Sequence, residues 1–146
     1  KRPTVFDNLP KDMPRVISVG RLDLQSEGLL ILTNSGDFAR KMELPSSNIE
    51  RTYKVRCFGD VNISVLGKAE QGITIDGEHF KPKKIELLQE GKNSWLKIVL
   101  TEGKNREIRK ILAHFGLKIS KLIRISYGEY ELGKLRQGEI AEIIQK

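Results

Sequence analysis

One carboxylate in this chain sits where chemistry rather than solvation is the natural use for it. In Gly20-Arg21-Leu22-Asp23 the aspartate follows an apolar run, Val16 to Val19, and precedes Leu24-Gln25-Ser26-Glu27-Gly28 and a second apolar run, Leu29 to Leu32. Two short strands with a turn between them would hold Asp23 at a strand end. Two readings stay open on local grounds. An aspartate at such a turn commonly accepts hydrogen bonds from nearby backbone N–H groups and does nothing more. Arg21, however, is two residues away, and on extended backbone the two side chains share a face. A carboxylate kept ionised by a neighbouring cation can act as a nucleophile and form a covalent intermediate.

A second group of candidates lies in Glu102-Gly103-Lys104-Asn105-Arg106-Glu107-Ile108-Arg109-Lys110. A glycine turn leads here into a helix of about ten residues, with Asn105 expected as its N-cap and Gly116 as its stop. Ile108, Ile111, Leu112 and Phe115 form its buried stripe at helical spacing. Arg106, Arg109 and Lys110 fall toward the other side, and Lys104 precedes the cap. Cations around a helix amino terminus make a phosphate site; a plain basic surface patch is the competing reading. Residues 104–136 carry nine Lys and Arg against three Asp and Glu, most of the chain's net charge of +7. A basic surface localised in this way, on a chain of pI 9.6, points to a polyanionic partner, nucleic acid before others.

Other chemistries find little support. Cys57, His79 and His114 are scattered without metal-ligand spacing, so no metal site is expected, and one cysteine forms no intrachain disulfide. Asp23 with Glu27 suggests a two-carboxylate glycosidase, but nothing else supplies a neutral-sugar site. No apolar run approaches the roughly 20 residues of a membrane span, and no apolar signal segment follows the first residues, so a cytoplasmic setting is the expectation.

The elements that must position these groups are mostly strands. Pro3, Pro10 and Pro14 mark residues 1–15 as an extended lead-in. Strands are expected over 15–19 and 29–33, then a short helix over 38–44 after the Asn34-Ser35-Gly36-Asp37 turn. Residues 50–58 alternate, with Tyr53, Val55 and Cys57 on one face and Thr52, Lys54 and Arg56 on the other. A helix is expected over 61–71, and strands over 72–77, 84–89, 94–101, 120–127 and 140–144. The architecture that follows is α+β: a mixed, largely antiparallel sheet with two or three helices, as two small subdomains sharing one sheet.

The motifs, in their order, resemble those of a known family. Gly20-Arg21-Leu22-Asp23 with Ser26-Glu27-Gly28-Leu29-Leu30 and Leu32-Thr33-Asn34 is similar to the catalytic-aspartate motif of the bacterial ribosomal-RNA pseudouridine synthases of the RsuA/RluB/RluE/RluF type. Arg51-Thr52-Tyr53-Lys54-Val55 resembles the family's tyrosine motif. Residues 102–110, with Leu122-Ile123-Arg124 and Tyr127-Gly128, resemble its arginine motif and closing strand. The likeness leans to the RluB branch, which acts on 23S rRNA.

What the resemblance implies is an isomerase that flips a uridine out of the RNA stack and returns it as pseudouridine, with no metal or organic cofactor. It implies Asp23, Tyr53 and Arg109 as catalytic residues. Asp23 would attack the sugar or assist cleavage of the glycosidic bond, Tyr53 would stack on the base, and Arg109 would ion-pair with Asp23. Arg21 would fill the gap left by the flipped base; Lys104, Asn105, Arg106, Lys110 and Arg124 would contact RNA; Leu122 and Ile123 would floor the base pocket. The implied partner is ribosomal RNA, 23S ahead of 16S, with no membrane and no obligate protein partner. Family members carry an amino-terminal S4-like domain and a strand with a Lys-Pro-x-Gly motif ahead of the matched region, so residues 1–146 are expected to be a catalytic domain lacking both. A noncatalytic RNA-binding module of the same fold is the alternative.

Overall fold

The computed structural model describes residues 9–13, 15–20, 22, 25–104, 106–137 and 139–141. Arg21, Asp23 and Asn105 lie outside these residues, as does most of the strand expected over 140–144, whose first two residues are irregular. In chain order the elements are β1 (Ile17–Val19), β2 (Glu27–Gly28), β3 (Ile31–Thr33), α1 (Gly36–Glu43), β4 (Arg51–Phe58), α2 (Ile63–Leu66), β5 (Ile73–Ile75), β6 (Glu78–Phe80), β7 (Lys84–Gln89), β8 (Asn93–Leu100), α3 (Glu107–His114), β9 (Lys118–Tyr127) and β10 (Tyr130–Glu131).

The α+β expectation is met. β4 lies at the centre of a six-stranded sheet of order β10-β9-β4-β8-β7, to which β2 adds by pairing with β9. Every pair in that sheet is antiparallel except β2 with β9. The period-two pattern of residues 50–58 is what places Val55 and Cys57 inward, both fully buried, and leaves Lys54 exposed. Leu66, Phe80, Leu96, Ile98, Ile111 and Leu112 complete the main core on that inner face. Burying each such side chain contributes about 1.5–3 kcal/mol. Burial also pushes the Cys57 thiol pKa up, by desolvation. A second, smaller core lies under β1, β3 and α1, where Val19, Leu29, Ala39, Met42 and Tyr127 meet. β1 and β3 form a two-stranded antiparallel sheet of their own over the smaller core, so the two subdomains do not share one sheet as expected; they meet through Tyr127 of β9.

Several local expectations are corrected. The helix expected over 61–71 is one α-turn, α2, followed by a 3-10 segment, Gly67–Gln71. Asn62 caps α2 by accepting from Val65 N at 3.3 Å, and glycine at 67 gives the chain little reason to continue it. Residues 72–77 are not one strand but the first half of a hairpin. Asp76 and Gly77 both have positive φ, 50° and 82°, the twist a two-residue hairpin turn requires. Helix α3 starts two residues after the expected cap: the N-cap position is Arg106, in left-handed conformation at φ 53° and without a side-chain cap. Its stop is as expected, with Gly116 at φ 78°. Strand β9 begins two residues earlier than read, at Lys118.

At the outer edge of the sheet, Ile85 N on β7 donates to the Glu70 carboxylate at 2.7 Å.

Candidate active site

Between the two cores the inner face of the sheet opens into a cleft of about 780 Å³. Its floor comes from β4 and β9, with Arg51, Tyr53, Leu122, Arg124 and Tyr127; one wall is the turn into α3, and the opposite wall is the segment around Ser18, Gly20, Leu22 and Ser26.

Strand register builds the floor. Arg51 pairs with Tyr127 and Tyr53 with Arg124, with a bulge between Thr52 and Tyr53. The bulge keeps all four side chains on the cleft side despite the change of register. Arg51 and Arg124 are buried, 6% and 3% exposed, and both guanidinium carbons stand over the Tyr127 ring, at 4.8 and 5.0 Å. Arg51 donates to Tyr127 Oη at 3.0 Å, and that hydroxyl donates to Met42 O at 3.0 Å. Arg124 Nε donates to Leu29 O at 3.0 Å, while among the described residues its buried Nη2 has no partner. Two desolvated cations at a cleft floor make it electropositive from beneath. Tyr53 is half-buried beside them.

The segments on either side of residues 21–24 are fastened. Ahead of them, Gly20 N donates to Glu43 Oε1 at 2.7 Å. Behind them, Arg109 Nη2 on α3 donates to Gln25 O at 3.0 Å. Further on, β2 runs parallel to β9 with Gly28 opposite Arg124, and Leu29 N donates to Arg124 O at 2.8 Å. The approach is so close that a Cβ on Gly28 would lie 2.2 Å from Arg124 O, and φ there is 111°. Glycine is required at that point on both counts. Arg109 thus binds the backbone two residues beyond Asp23.

At the other wall, a pair of glutamates organises the turn into α3. Glu107 is 2% exposed, and among the described residues no other group donates to its carboxyl oxygens; its partner is the Glu102 carboxylate, which shares a hydrogen bond with it. Burial, and then the adjoining Glu102 carboxylate, push its pKa up to about 9, so Glu107 is neutral at pH 7. Glu102 moves the opposite way. Although burial opposes it, the Glu107 hydrogen bond, the Lys81 N–H and Lys104 lower its pKa. Lys81 N donates to it at 3.1 Å, and Lys104 Nζ lies 3.7 Å away. Lys104 also donates to His79 O. Lys110 pairs with Glu78 at 3.0 Å, and both ammonium groups sit over the buried Phe80 ring, at 5.7 and 5.9 Å.

The sequence and the fold match a known set of proteins. The sequence pattern of the RNA pseudouridylate synthases fits residues 4–114. The chain belongs to that family. An RNA pseudouridine synthase of Rickettsia bellii is 51% identical over 146 residues, which are 99% of this chain and 63% of the relative. Ribosomal large subunit pseudouridine synthase B of Salmonella typhi is 43% identical over 135 residues, 91% of this chain and 46% of the relative. The chain therefore spans about half to two-thirds of the length of such relatives. Among solved structures, a crystal structure of a pseudouridylate synthase superposes with a TM-score of 0.83 at 26% identity, covering 94% of this chain and 60% of that one. The chain is an RluB-like pseudouridylate synthase family member with the family's fold.

Within this family setting, the structure brings Tyr53, Arg106, Arg109, Leu122, Arg124 and Lys104 to one cleft. Lys110 is turned toward Glu78 on β6. Ile123 pairs with Lys54 in the register, and adjacent residues of a strand point to opposite faces; its side chain is therefore on the face away from the cleft that Leu122 lines. Arg124 is a buried floor residue tied to Leu29 rather than a surface cation. Glu107, Arg51 and Tyr127 were not among the sequence-level candidates. The signal for Glu107 was its place four residues before Ile111, on the buried side of the helix. For Arg51 and Tyr127 it was a cross-strand register that no single segment reveals.

Proposed function

We propose that this chain is the catalytic unit of an enzyme that converts a specific uridine of ribosomal RNA to pseudouridine, with Asp23 as its nucleophile and 23S rRNA as its substrate. The observation that carries the reading is that Gln25 and Leu29, just beyond Asp23 in the chain, are held by Arg109 of α3 and the β9 backbone, beside a cleft whose floor holds two buried guanidinium groups. The names of the relatives favour the large-subunit RNA.

In this reading the target nucleotide leaves its stack and enters the cleft. Asp23 attacks the sugar as the N1–C1′ bond breaks, and the uracil leaves with the bonding pair. It turns, C5 forms the new bond to C1′, the carboxylate is released, the C5 proton is lost and N1 gains one. Atoms are conserved within one nucleotide, so the reaction calls for no cofactor. Tyr53 stacks on the uracil and relays the C5 proton. Arg109 holds Asp23 ionised and aimed, and Arg21 occupies the vacated place in the stack. Leu122 supports the base from below, and Arg124 holds the β2 backbone against the floor. Lys104, Asn105 and Arg106 meet the phosphates near the cleft mouth.

The test is tritium release from 5-tritiated uridine in unmodified rRNA transcripts, by the chain and by a longer form extended to the length of its relatives. Release from 23S rRNA that Asp23→Asn abolishes, with RNA binding kept, is the expected result. Binding without release from either 23S or 16S rRNA by both forms would overturn the enzymatic reading in favour of a noncatalytic RNA-binding module.

A further inference from the structure

The face of the sheet turned away from the cleft has no described helix or hairpin on it. α2, α3 and the β5–β6 hairpin all pack on the inner face, through Leu66, Ile111 and Phe80. The outer face is strongly basic. Among the described residues the acidic side chains on this face are Glu86, opposite Lys97 and 3.4 Å from Lys84, and, toward the other edge, Glu27 opposite Ile123 and Glu131 opposite Ser126. Against them stand Lys54, Arg56, Lys97, Lys118 and Lys121, drawn together by pairing from three separate stretches of chain.

The register places like charges directly opposite one another. Lys54 faces Lys97 across β4 and β8, and Arg56 faces Lys121 across β4 and β9. Such cross-strand pairs are destabilising, where an opposite-charge or apolar pair would contribute stability. Partial relief comes from Trp95: Lys54 Nζ lies 4.8 Å and the Arg56 guanidinium 5.7 Å from the indole centroid. Arg56 is further fixed by donating to Ser120 Oγ at 2.9 Å, and Ser120 donates back to Arg56 O at 3.2 Å. A rigid strand lattice thus holds an array of cations at roughly 5 Å spacing between strands, in which Lys97 has Glu86 opposite it on β7 while Lys54, Arg56 and Lys121 face only other cations or apolar residues across the strands.

We propose that this outer face is a second RNA surface, which grips the phosphates of a double-helical segment of the same ribosomal RNA while the cleft holds the target nucleotide. This rests on the reading of the cleft as an rRNA site. Charge complementarity selects a polyanion, and the lysines act as point charges on the backbone. The indole face is already covered by cations, so the lysines recognise backbone, not sequence; the exposed Phe58 ring, opposite Lys118, is the one aromatic face left open there among the described residues. A sheet gripped on its outer face also orients the cleft relative to the larger RNA.

The test compares two RNAs: a stem-loop only large enough to fill the cleft, and an rRNA fragment that adds neighbouring helices. The variant is Lys54→Gln/Lys97→Gln/Lys121→Gln, with an all-Arg version at the same positions as the charge-preserving control. For the long fragment, the Gln variant should bind about 10- to 100-fold more weakly, and its slope of log affinity against log salt should fall by about 2–3. Its binding of, and tritium release from, the stem-loop should equal the parent's, and the Arg version should bind like the parent. The melting temperature should hold or rise as like-charge repulsion is relieved; were it to collapse, the single Lys121→Gln variant would serve, with a slope change of about 1. Equal affinity and slope of the parent and the Gln variant for the long fragment would overturn the proposal. If in addition an acidic polypeptide bound the parent alone, the face would belong to a protein partner. Failure of tritium release by every form, with the long-fragment difference intact, would sink the isomerase reading and leave this surface standing.

Discussion

Glu107 shows how much a single side chain can ask of its surroundings. It is held neutral beside an ionised Glu102 at the turn into α3, and that asymmetry has a pH signature. Its native pKa of about 9 lies above the ordinary glutamate value of 4.5, so between those limits the folded chain binds a proton that the unfolded chain has released. Stability contributed by this group therefore falls as pH rises through that window. Glu102 works in the opposite sense below pH 4.5, since its lowered native pKa adds stability as pH rises toward the unfolded value. Glu107→Gln keeps the shape and the hydrogen bond to Glu102 and removes the titration. Urea denaturation at pH 5 and pH 8 should find the parent losing stability over that interval and the variant nearly flat. At pH 8 the variant should be the more stable by about 1–3 kcal/mol. A parent whose stability does not fall between the two would show that Glu107 ionises normally. Little of this was readable beforehand. The helix pattern exposed the apolar stripe at Ile108, Ile111 and Leu112, but a glutamate on the same side looks like a first-turn residue favoured by the helix dipole until its burial is seen.

At the scale of elements, β2 is two residues long and yet decides where the catalytic-motif loop lies. Its parallel pairing with β9 depends on backbone contact at Gly28, so Gly28→Ala would force a methyl group against Arg124 O and strain a positive φ at once. We expect a loss of several kcal/mol, or detachment of the loop from β9, because both mechanisms belong to the severe class. Guanidinium denaturation, read with the circular dichroism of the native state, distinguishes the two; a variant as stable as the parent and equally active would show that the loop is not held there. Long elements were legible from residue order: β4, β7, β8 and α3 were found to within two residues, since each carries many repeats of its period. Of the short ones, β1, β3 and α1 also came within two residues of their expected bounds, but β2 was not found. β2 has no room for a period and exists only through its partners on β9, 96 residues further on. The β5–β6 hairpin was half seen, although Asp76-Gly77 is a strong turn signal. The start of α3 slipped because Arg106 adopts a left-handed conformation that its residue type does not announce.

For the whole molecule, the unequal cores predict unequal stability. The main core draws on β4, β7, β8, β9, α2 and α3, whereas the smaller one rests on five buried residues under β1, β3 and α1. Native-state hydrogen exchange should find amides of β1 and β3 opening at a lower free energy than those of β4 and β8, which open only with global unfolding. Exchange at one common free energy throughout would mean that the two cores unfold as a unit. The division suits the proposed chemistry, because the cleft lies between the cores and the more easily opened one carries the wall that an entering nucleotide must pass. The placement of the cations was the least legible feature at this scale. Charge counted along the chain points to residues 104–136, but folding sends those charges to different places: Lys104 and Lys110 to β6, Arg124 into the floor, Lys118 and Lys121 to the far face beside Lys54 and Lys97.

The outermost strand has a vulnerability that the sheet answers economically. Unsatisfied backbone groups along β7 would offer a template on which another chain could build, the first step toward aggregation. At Ile85 that invitation is withdrawn: the Glu70 carboxylate already holds the N–H, so a strand arriving from outside meets a fixed negative charge where it would need to place a carbonyl. One side chain from a 3-10 segment thus does there what a covering strand would otherwise do.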